Sequence, residues 1–400
     1  MKLLLVTHFY PPEIGAPQRR WEGFVGHWTR SGIDVTVVCP LPHYPDGKGR
    51  PGSVKAHLRT QTGQYGERIV RVPFVPNAKS AAAKLADHTL AALASVPASA
   101  LRTFDVVLTS APGLPSLVAG EMLAKVRNVP HVVEMRDAWP DLLDQAELPG
   151  GRAARGMARV VTRAQSRADR IVTVSAAFAD VLRHRHPAVP VDHVSNGITV
   201  DSVPAIDGSP LGEGPINALY LGTMGVSQGL HHVIDAASIA GSDVVNLTMI
   251  GGGNQTEPLR RHAAELGVPV TFRPQVSGDE LWAAYASTDT VAVPLRAWPA
   301  FDYTVPSKLY EIFAAGVHVS AMLSGEAREL VHNSQSGFCV PPEQPAALAA
   351  KWTQMHDTRT LLGQVPGASR DWVRRHADYE VLADRYASIL RETVDRGKTR

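Results

Sequence analysis

Lys308 and Glu311 are the residues of this chain whose types and spacing point most directly to chemistry. They stand three positions apart in the stretch Val305-Pro-Ser-Lys-Leu-Tyr-Glu-Ile-Phe-Ala-Ala-Gly316. Pro306 suits a first helical position and Gly316 suits the left-handed end, so the stretch predicts a helix over Pro306–Ala315. Val305 is a poor cap. The amides of Ser307 and Lys308 are therefore left without an internal acceptor. An anion would satisfy them with the help of the helix dipole. Lys308 adds a full positive charge, and Glu311, one turn on, can accept hydrogen bonds from hydroxyls. Phosphate at a helix tip with sugar hydroxyls beside it is what a nucleotide sugar presents. An ordinary buried helix with a weak cap accounts for the same residues, and this stretch alone leaves that reading ahead.

Other candidates lie in turns that follow predicted strands. Leu221-Gly222-Thr-Met-Gly225-Val-Ser-Gln228-Gly229 is a glycine-rich turn between a strand and a helix, a common way to present N–H groups to phosphate. A plain packing turn is an equal reading. Gly251-Gly252-Gly253-Asn254 follows the next strand and either serves a site or only turns the chain. His8-Phe-Tyr-Pro-Pro-Glu-Ile-Gly15-Ala-Pro17-Gln-Arg19-Arg20 leads from the first strand to a helix. Gly15 permits close backbone approach, and Arg19 and Arg20 either meet phosphate or sit in solvent. The turn is not G-x-G-x-x-G, which argues against a dinucleotide enzyme. Glu134-Met-Arg136-Asp137-Ala-Trp139-Pro140-Asp141 gathers ionisable groups around a Trp-Pro at a strand's carboxyl end. Asp137 could accept a hydrogen bond from a substrate hydroxyl or steady developing positive charge; the plain alternative is a carboxylate at a helix start. Asn196-Gly197 is a further turn candidate.

The elements that must position these residues repeat as strand then helix. Short apolar runs predict strands at Leu3–Thr7, Asp34–Cys39, Ile69–Val72, Val106–Thr109, His131–Glu134 and Ile171–Val174. A Pro/Gly-rich stretch near 200–215 reads as a linker. The alternation then restarts with strands at Asn217–Leu221, Val245–Ile250, Val270–Phe272, Thr290–Val293, His318–Ala321 and Phe338–Val340. This is an α/β chain of two doubly wound halves, whose ligands bind beyond the carboxyl ends of the strands. The expected boundaries are an N-terminal domain over 1–200, a C-terminal domain over 201–375 and a closing helical segment over 376–400.

Composition sets the limits. The chain has 400 residues, 44% of them apolar, and a formal net charge of +2, so no global field points to nucleic acid. Cys39 and Cys339 end apolar runs and read as buried reduced thiols. No compact His/Cys motif supports a metal site. No run approaches the roughly 18 apolar residues that span a bilayer, so the expectation is a cytoplasmic protein, at most resting on the inner face of a membrane. Arg152, Arg155, Arg159, Arg163 and Arg167 make one basic stripe on a predicted helix. A solvated face is the plain reading and contact with anionic headgroups the sharper one. Ala81–Leu101, rich in Ala and Leu, reads as core packing or as a greasy rim for an acceptor.

Taken in order, His8-Phe-Tyr-Pro-Pro with Gly15, Pro42-His-Tyr-Pro45 with Gly47-Lys48, Asp137-Ala-Trp-Pro140, Ser195-Asn-Gly197, Gly222 with Gly225 and Gln228-Gly229, Gly251 to Gly253, and Pro306-Ser-Lys308 with Glu311 and Ala315-Gly316 resemble the retaining GT-B glycosyltransferases of family 4, in a WbuB- and WcaI-like branch. The resemblance covers nearly the whole chain. It implies two Rossmann-like domains with parallel sheets facing a central cleft, and a final helix that returns to the first domain. It implies a nucleotide-sugar donor, with UDP as the family's prior, and a saccharide, lipid-linked or small-molecule acceptor. It implies transfer with retention, no resident cofactor and no required metal. Glu311 matches the glutamate that binds the donor ribose, and Lys308 lies by the diphosphate. Gly15, Gly222, Gly225, Gln228, Gly251, Tyr303, Thr304, Val305, Ser307 and Leu309 fall on the donor side, with N–H groups of 301–305 offered to sugar and phosphate. Arg19 and Trp139 fall on the acceptor side, and Asp137 joins Lys308 and Glu311 as the catalytic set.

Two positions depart from the family pattern. The family pairs two glutamates eight apart, whereas Tyr303, next to Asp302, stands eight before Glu311. The turn after the linker carries Thr223 and Gln228 where the family places Arg and Lys. A nucleotide-sugar epimerase, a pseudo-glycosyltransferase and a catalytically silent nucleotide-sugar-binding protein therefore stay open beside a glycosyltransferase.

Overall fold

The computed structural model describes residues 1–13, 15–43, 47, 49, 60–78, 80–111, 113–142, 152–206, 213–364 and 366–398. Tyr44, Pro45 and Lys48 of the second motif, and Gly208, Pro210 and Gly212 of the linker, lie outside the described residues. The chain forms two compact units, Met1–Asn196 with Tyr379–Arg400 and Gly197–Asp378.

The first unit is built on an eight-stranded sheet in the order β3-β4-β2-β1-β5-β6-β7-β8. Its strands are β1 (Lys2–Val6), β2 (Asp34–Pro40), β3 (Thr60–Thr62), β4 (Arg68–Val72), β5 (Val106–Ser110), β6 (His131–Met135), β7 (Arg170–Thr173) and β8 (Val191–His193). All neighbours pair in parallel except β3, which runs antiparallel to β4 at the edge. β3 and β8 are three-residue strands, too short for an apolar run to announce them. β5 and β6 are buried along their whole length, as parallel strands covered on both faces must be. The helix Ala16–Arg30 lays Trp21, Phe24, Val25 and Trp28 on one buried stripe. The C-terminal helix Tyr379–Lys398 closes that stripe. Trp28 Nε1 donates to Ala383 O at 3.0 Å, and Phe24 and Trp28 meet the Tyr386 ring edge-on. Burying these aromatics is worth on the order of 2–3 kcal/mol each, which ties the last helix to the first unit.

The second unit carries a six-stranded parallel sheet in the order β11-β10-β9-β12-β13-β14. The strands are β9 (Ile216–Thr223), β10 (Val245–Gly252), β11 (Val270–Arg273), β12 (Thr290–Pro294), β13 (His318–Met322) and β14 (Gly337–Val340). Strand order reverses between β9 and β12, the point where open α/β sheets leave a ligand crevice at their carboxyl ends. A helix over Pro366–His376 also belongs to this unit. Both cysteines are free thiols; Cys39 is buried, and Cys339 is only partly so, against expectation.

Candidate functional site

In the second unit, the helix with the strongest chemical signature spans Lys308–Ala315, two residues shorter at its start than expected. Pro306 and Ser307 form the turn ahead of it, and Leu309 N donates to Pro306 O at 3.1 Å. No backbone acceptor is found for the Ser307 and Lys308 amides among the described residues, and both residues are half-buried. Lys308 is drawn to the switch point. Its Nζ donates to Leu221 O at 3.0 Å, at the carboxyl end of β9, and sits 4.3 Å from the centre of the Tyr220 ring. Burial pushes its ammonium down to about 8, against the opposing pull of Glu311. A cation already near the edge of its charged range, with one carbonyl and one ring face as partners, is suited to take up an anion.

Gly222 makes room for that lysine. Its φ is 144°, a region side chains resist, and an added Cβ would stand 2.7 Å from Lys308 Nζ. Gly251 has a packing role of its own. It pairs with Gly222 across β9 and β10, and a Cβ there would lie 2.0 Å from Gly222 O. It is required for strand contact, which removes the need for a ligand to explain it.

Glu311 is 8% exposed and accepts a hydrogen bond from the Tyr285 hydroxyl at 2.7 Å. Tyr285, on the helix Asp279–Ala286, was not singled out in the sequence. Its only signal was an aromatic with a hydroxyl in an otherwise apolar helix face, which reads as core.

Several of the donor-side groups already have partners within the chain. Leu309 is fully buried with its amide committed to Pro306, so it is a core residue. Thr304 has both groups engaged, its amide on Phe301 O at 3.3 Å and its hydroxyl on Ala300 O at 2.8 Å. The Phe301 amide likewise bonds Trp298 O at 2.8 Å, because 299–303 winds into a short 3-10 turn that uses its own N–H groups. Gly225 N donates to Gln228 Oε1 at 3.1 Å, so these two close their own turn and the amide is not presented outward. Tyr303 is half-buried at the end of the 3-10 turn, and Val305 is buried beside the helix tip.

In the first unit, Asp137 follows β6 and is half-buried. Burial pushes its carboxyl above the ordinary range, and the Arg136 guanidinium opposes that. Trp139 is half-buried, with its amide on Asp137 O at 2.7 Å and its carbonyl accepting from Gln165 Nε2 at 3.4 Å. Gly15 caps the first helix with extended backbone, and its carbonyl accepts from Arg19 N at 3.0 Å, leaving the Arg19 side chain on the exposed face. Arg20 neither meets phosphate nor sits in solvent. It is fully buried and pairs with Glu134, Nη2 to Oε2 at 2.9 Å and Nε to Oε2 at 3.2 Å. Its other bonds go to Ser195 O at 2.6 Å and Val194 O at 2.8 Å. Glu134 also accepts from Ser110 Oγ at 3.2 Å. Arg20 and Glu134 are thus a buried tie between the first helix, β6 and the chain after β8. The basic stripe faces outward, with Arg155, Arg159, Arg163 and Arg167 all exposed.

Comparison with known proteins assigns this arrangement. The family described as "Glycosyl transferase 4-like domain" matches residues 15–197, and "Glycosyl transferases group 1" matches 205–363. The chain is a GT-B glycosyltransferase and belongs to family 4. The putative colanic acid biosynthesis glycosyl transferase WcaI of Escherichia coli K12 is 24% identical over 98% of this chain and 100% of that protein. A GDP-mannose-dependent alpha-(1-6)-phosphatidylinositol monomannoside mannosyltransferase of Mycobacterium tuberculosis is 33% identical over 37% of this chain, a match spanning only 40% of that relative's length. Anabaena HepE in complex with UDP has the same fold, with a TM-score of 0.69 over 98% of this chain and 100% of that one at 16% identity.

Proposed function

We propose that this chain moves a sugar from a UDP-linked donor to a hydroxyl of a saccharide, lipid-linked or small-molecule acceptor, with retention at the anomeric carbon and without a metal ion. The observation that carries the reading is Lys308, held at the carboxyl end of β9 by Leu221 O and Tyr220, one turn before the buried Glu311. Glu311, held by Tyr285, would accept from the ribose hydroxyls, and Lys308 with the helix tip would take the diphosphate.

Attack on the face that the leaving group vacates accounts for retention with no protein nucleophile. The acceptor oxygen bonds to the anomeric carbon as the bond from that carbon to the diphosphate oxygen breaks. The acceptor's proton passes to the departing phosphate. Lys308 and the helix dipole stabilise the charge that develops there. Asp137 would orient the acceptor or steady positive charge, with Arg19 and Trp139 on the same unit. The UDP complex of HepE supports uracil as the base, and the guanine nucleotide in the mannosyltransferase's name supplies the competing choice.

Peripheral membrane contact is part of the same proposal. Val118, Met122 and Val160 are exposed beside Lys125, Arg163 and Glu121, and Glu121 pairs with Lys125 at 2.7 Å, so Arg163 is the basic neighbour this apolar face would present to headgroups. No described helix is long and apolar enough to cross a membrane.

Calorimetry with UDP and GDP on the wild-type chain and on Glu311→Ala tests the donor reading. Wild type should bind one nucleotide at least tenfold more tightly than the other, and Glu311→Ala should lose that binding. A variant that binds the preferred nucleotide as tightly as wild type would overturn the assignment. Product NMR, or sugar analysis without acceptor, separates retaining transfer from epimerisation.

A further inference from the structure

The first unit contains a buried cluster that joins two of the sequence motifs, the one opening at His8 and the one containing His43, to a helix. His8 leaves β1, His43 follows β2, and Asp87 lies on the helix Ala81–Ala100. His8 Nε2 and His43 Nε2 both stand 3.1 Å from the same oxygen, Asp87 Oδ2. The three ligating atoms lie within 4.8 Å of one another, and all three residues are buried.

The contacts fix the orientation of the ring. His43 Nδ1 is 2.7 Å from Leu41 O, a carbonyl that can only accept, so Nδ1 carries a proton and Nε2 is the atom aimed at Asp87. A positive centre belongs between Nε2 and the carboxylate oxygen, either the proton of an imidazolium or a bound metal ion. Imidazole oriented through Nδ1 by a backbone carbonyl is also how metal-bound histidines are typically held. The other carboxylate oxygen, Asp87 Oδ1, accepts from Val75 N at 2.8 Å, which leaves Oδ2 as the ligand atom. Glu13 is engaged elsewhere, with Oε1 on His43 N at 2.8 Å and Oε2 on Gln18 Nε2 at 3.3 Å. In a tetrahedral zinc site, bonds of about 2.0–2.1 Å put neighbouring ligand atoms about 3.3 Å apart. The observed 3.1 Å contacts already have that spacing.

We propose that His8, His43 and Asp87 bind a divalent transition-metal ion, zinc by its taste for two imidazoles and one carboxylate. The ion clips the exits of β1 and β2 to the helix above them. It is a structural tie in the first unit, and the donor reading stands or falls separately.

The test uses the full chain without an affinity tag, stripped with chelator and dialysed. Titration with zinc chloride should show one saturable equivalent, and cobalt should give the visible absorption of a low-symmetry tetrahedral site. Zinc should raise the melting temperature. His8→Gln and His43→Gln should each lose that equivalent, with affinity falling about a hundredfold or more. Absence of the cobalt bands in wild type overturns the site whatever the variants do. Zinc binding that persists unchanged in both variants assigns it to surface histidines and overturns the proposal equally.

Discussion

If Lys308 receives the diphosphate as an ammonium, nucleotide affinity must follow its protonation. Burial holds it at about 8 against an ordinary value of 10.5. At pH 7 the free protein is then about 90% charged at this position, and at pH 9 about 10%. The ligand prefers the charged form, so binding raises the lysine's pKa and affinity is fullest below pH 8. Above pH 8 the apparent Kd should climb about tenfold per pH unit until the pKa of the complex is reached. Lys308→Met keeps the stem on Tyr220 and removes the charge. A unit charge about 4 Å from phosphate at an effective dielectric of 20 is worth about 4 kcal/mol, from which the ammonium's desolvation is subtracted. What remains corresponds to a loss of about 1.5–3 kcal/mol, or a 10- to 150-fold weaker Kd at pH 7. The assay is calorimetry with UDP from pH 6.5 to 9.5, approximate bounds set by the titration range. Wild type should show the climb and Lys308→Met should be flat, which removes titration of the nucleotide itself from the comparison. Parallel curves for the two proteins, or a variant that binds as tightly as wild type at pH 7, would refute the role.

Two further expectations concern groups that hold others in place. Tyr285→Phe deletes the hydroxyl that donates to Glu311 at 2.7 Å. It should cost about 1.5–3 kcal/mol in urea unfolding of the second unit and weaken nucleotide binding; no change in either would show the bond to be incidental. Arg20→Met leaves Glu134 charged in a fully buried site. It should destabilise the first unit by about 3–5 kcal/mol, and the double variant with Glu134→Gln should recover much of that loss; a neutral single variant would contradict a buried pair.

Much of the secondary structure is written locally, and for a physical reason. Parallel strands buried on both faces are rich in apolar residues, so the expected Val106–Thr109 and His131–Glu134 fall within one residue of β5 and β6. Pro306 and Gly316 punctuate a helix through backbone geometry that acts within a few residues. Less legible is whether a polar or glycine position is already engaged by its own turn or by a neighbouring element. Gly251 reads as a ligand-facing glycine until β9 is laid against it. Gln228 and Thr304 look outward until their own turns close on them.

Residue order alone determined the α/β alternation, the two doubly wound sheets, the helix carrying Lys308 and Glu311, and the family to which these belong. Only the tertiary structure decided which polar groups are already satisfied and which residues meet. Arg20 reaches Glu134 across 114 positions, His43 reaches Asp87 across 44, and Lys308 reaches Leu221 across 87. Periodicity reports the face a side chain turns inward. The atom it finds there is set by strand order and packing, which no local pattern encodes.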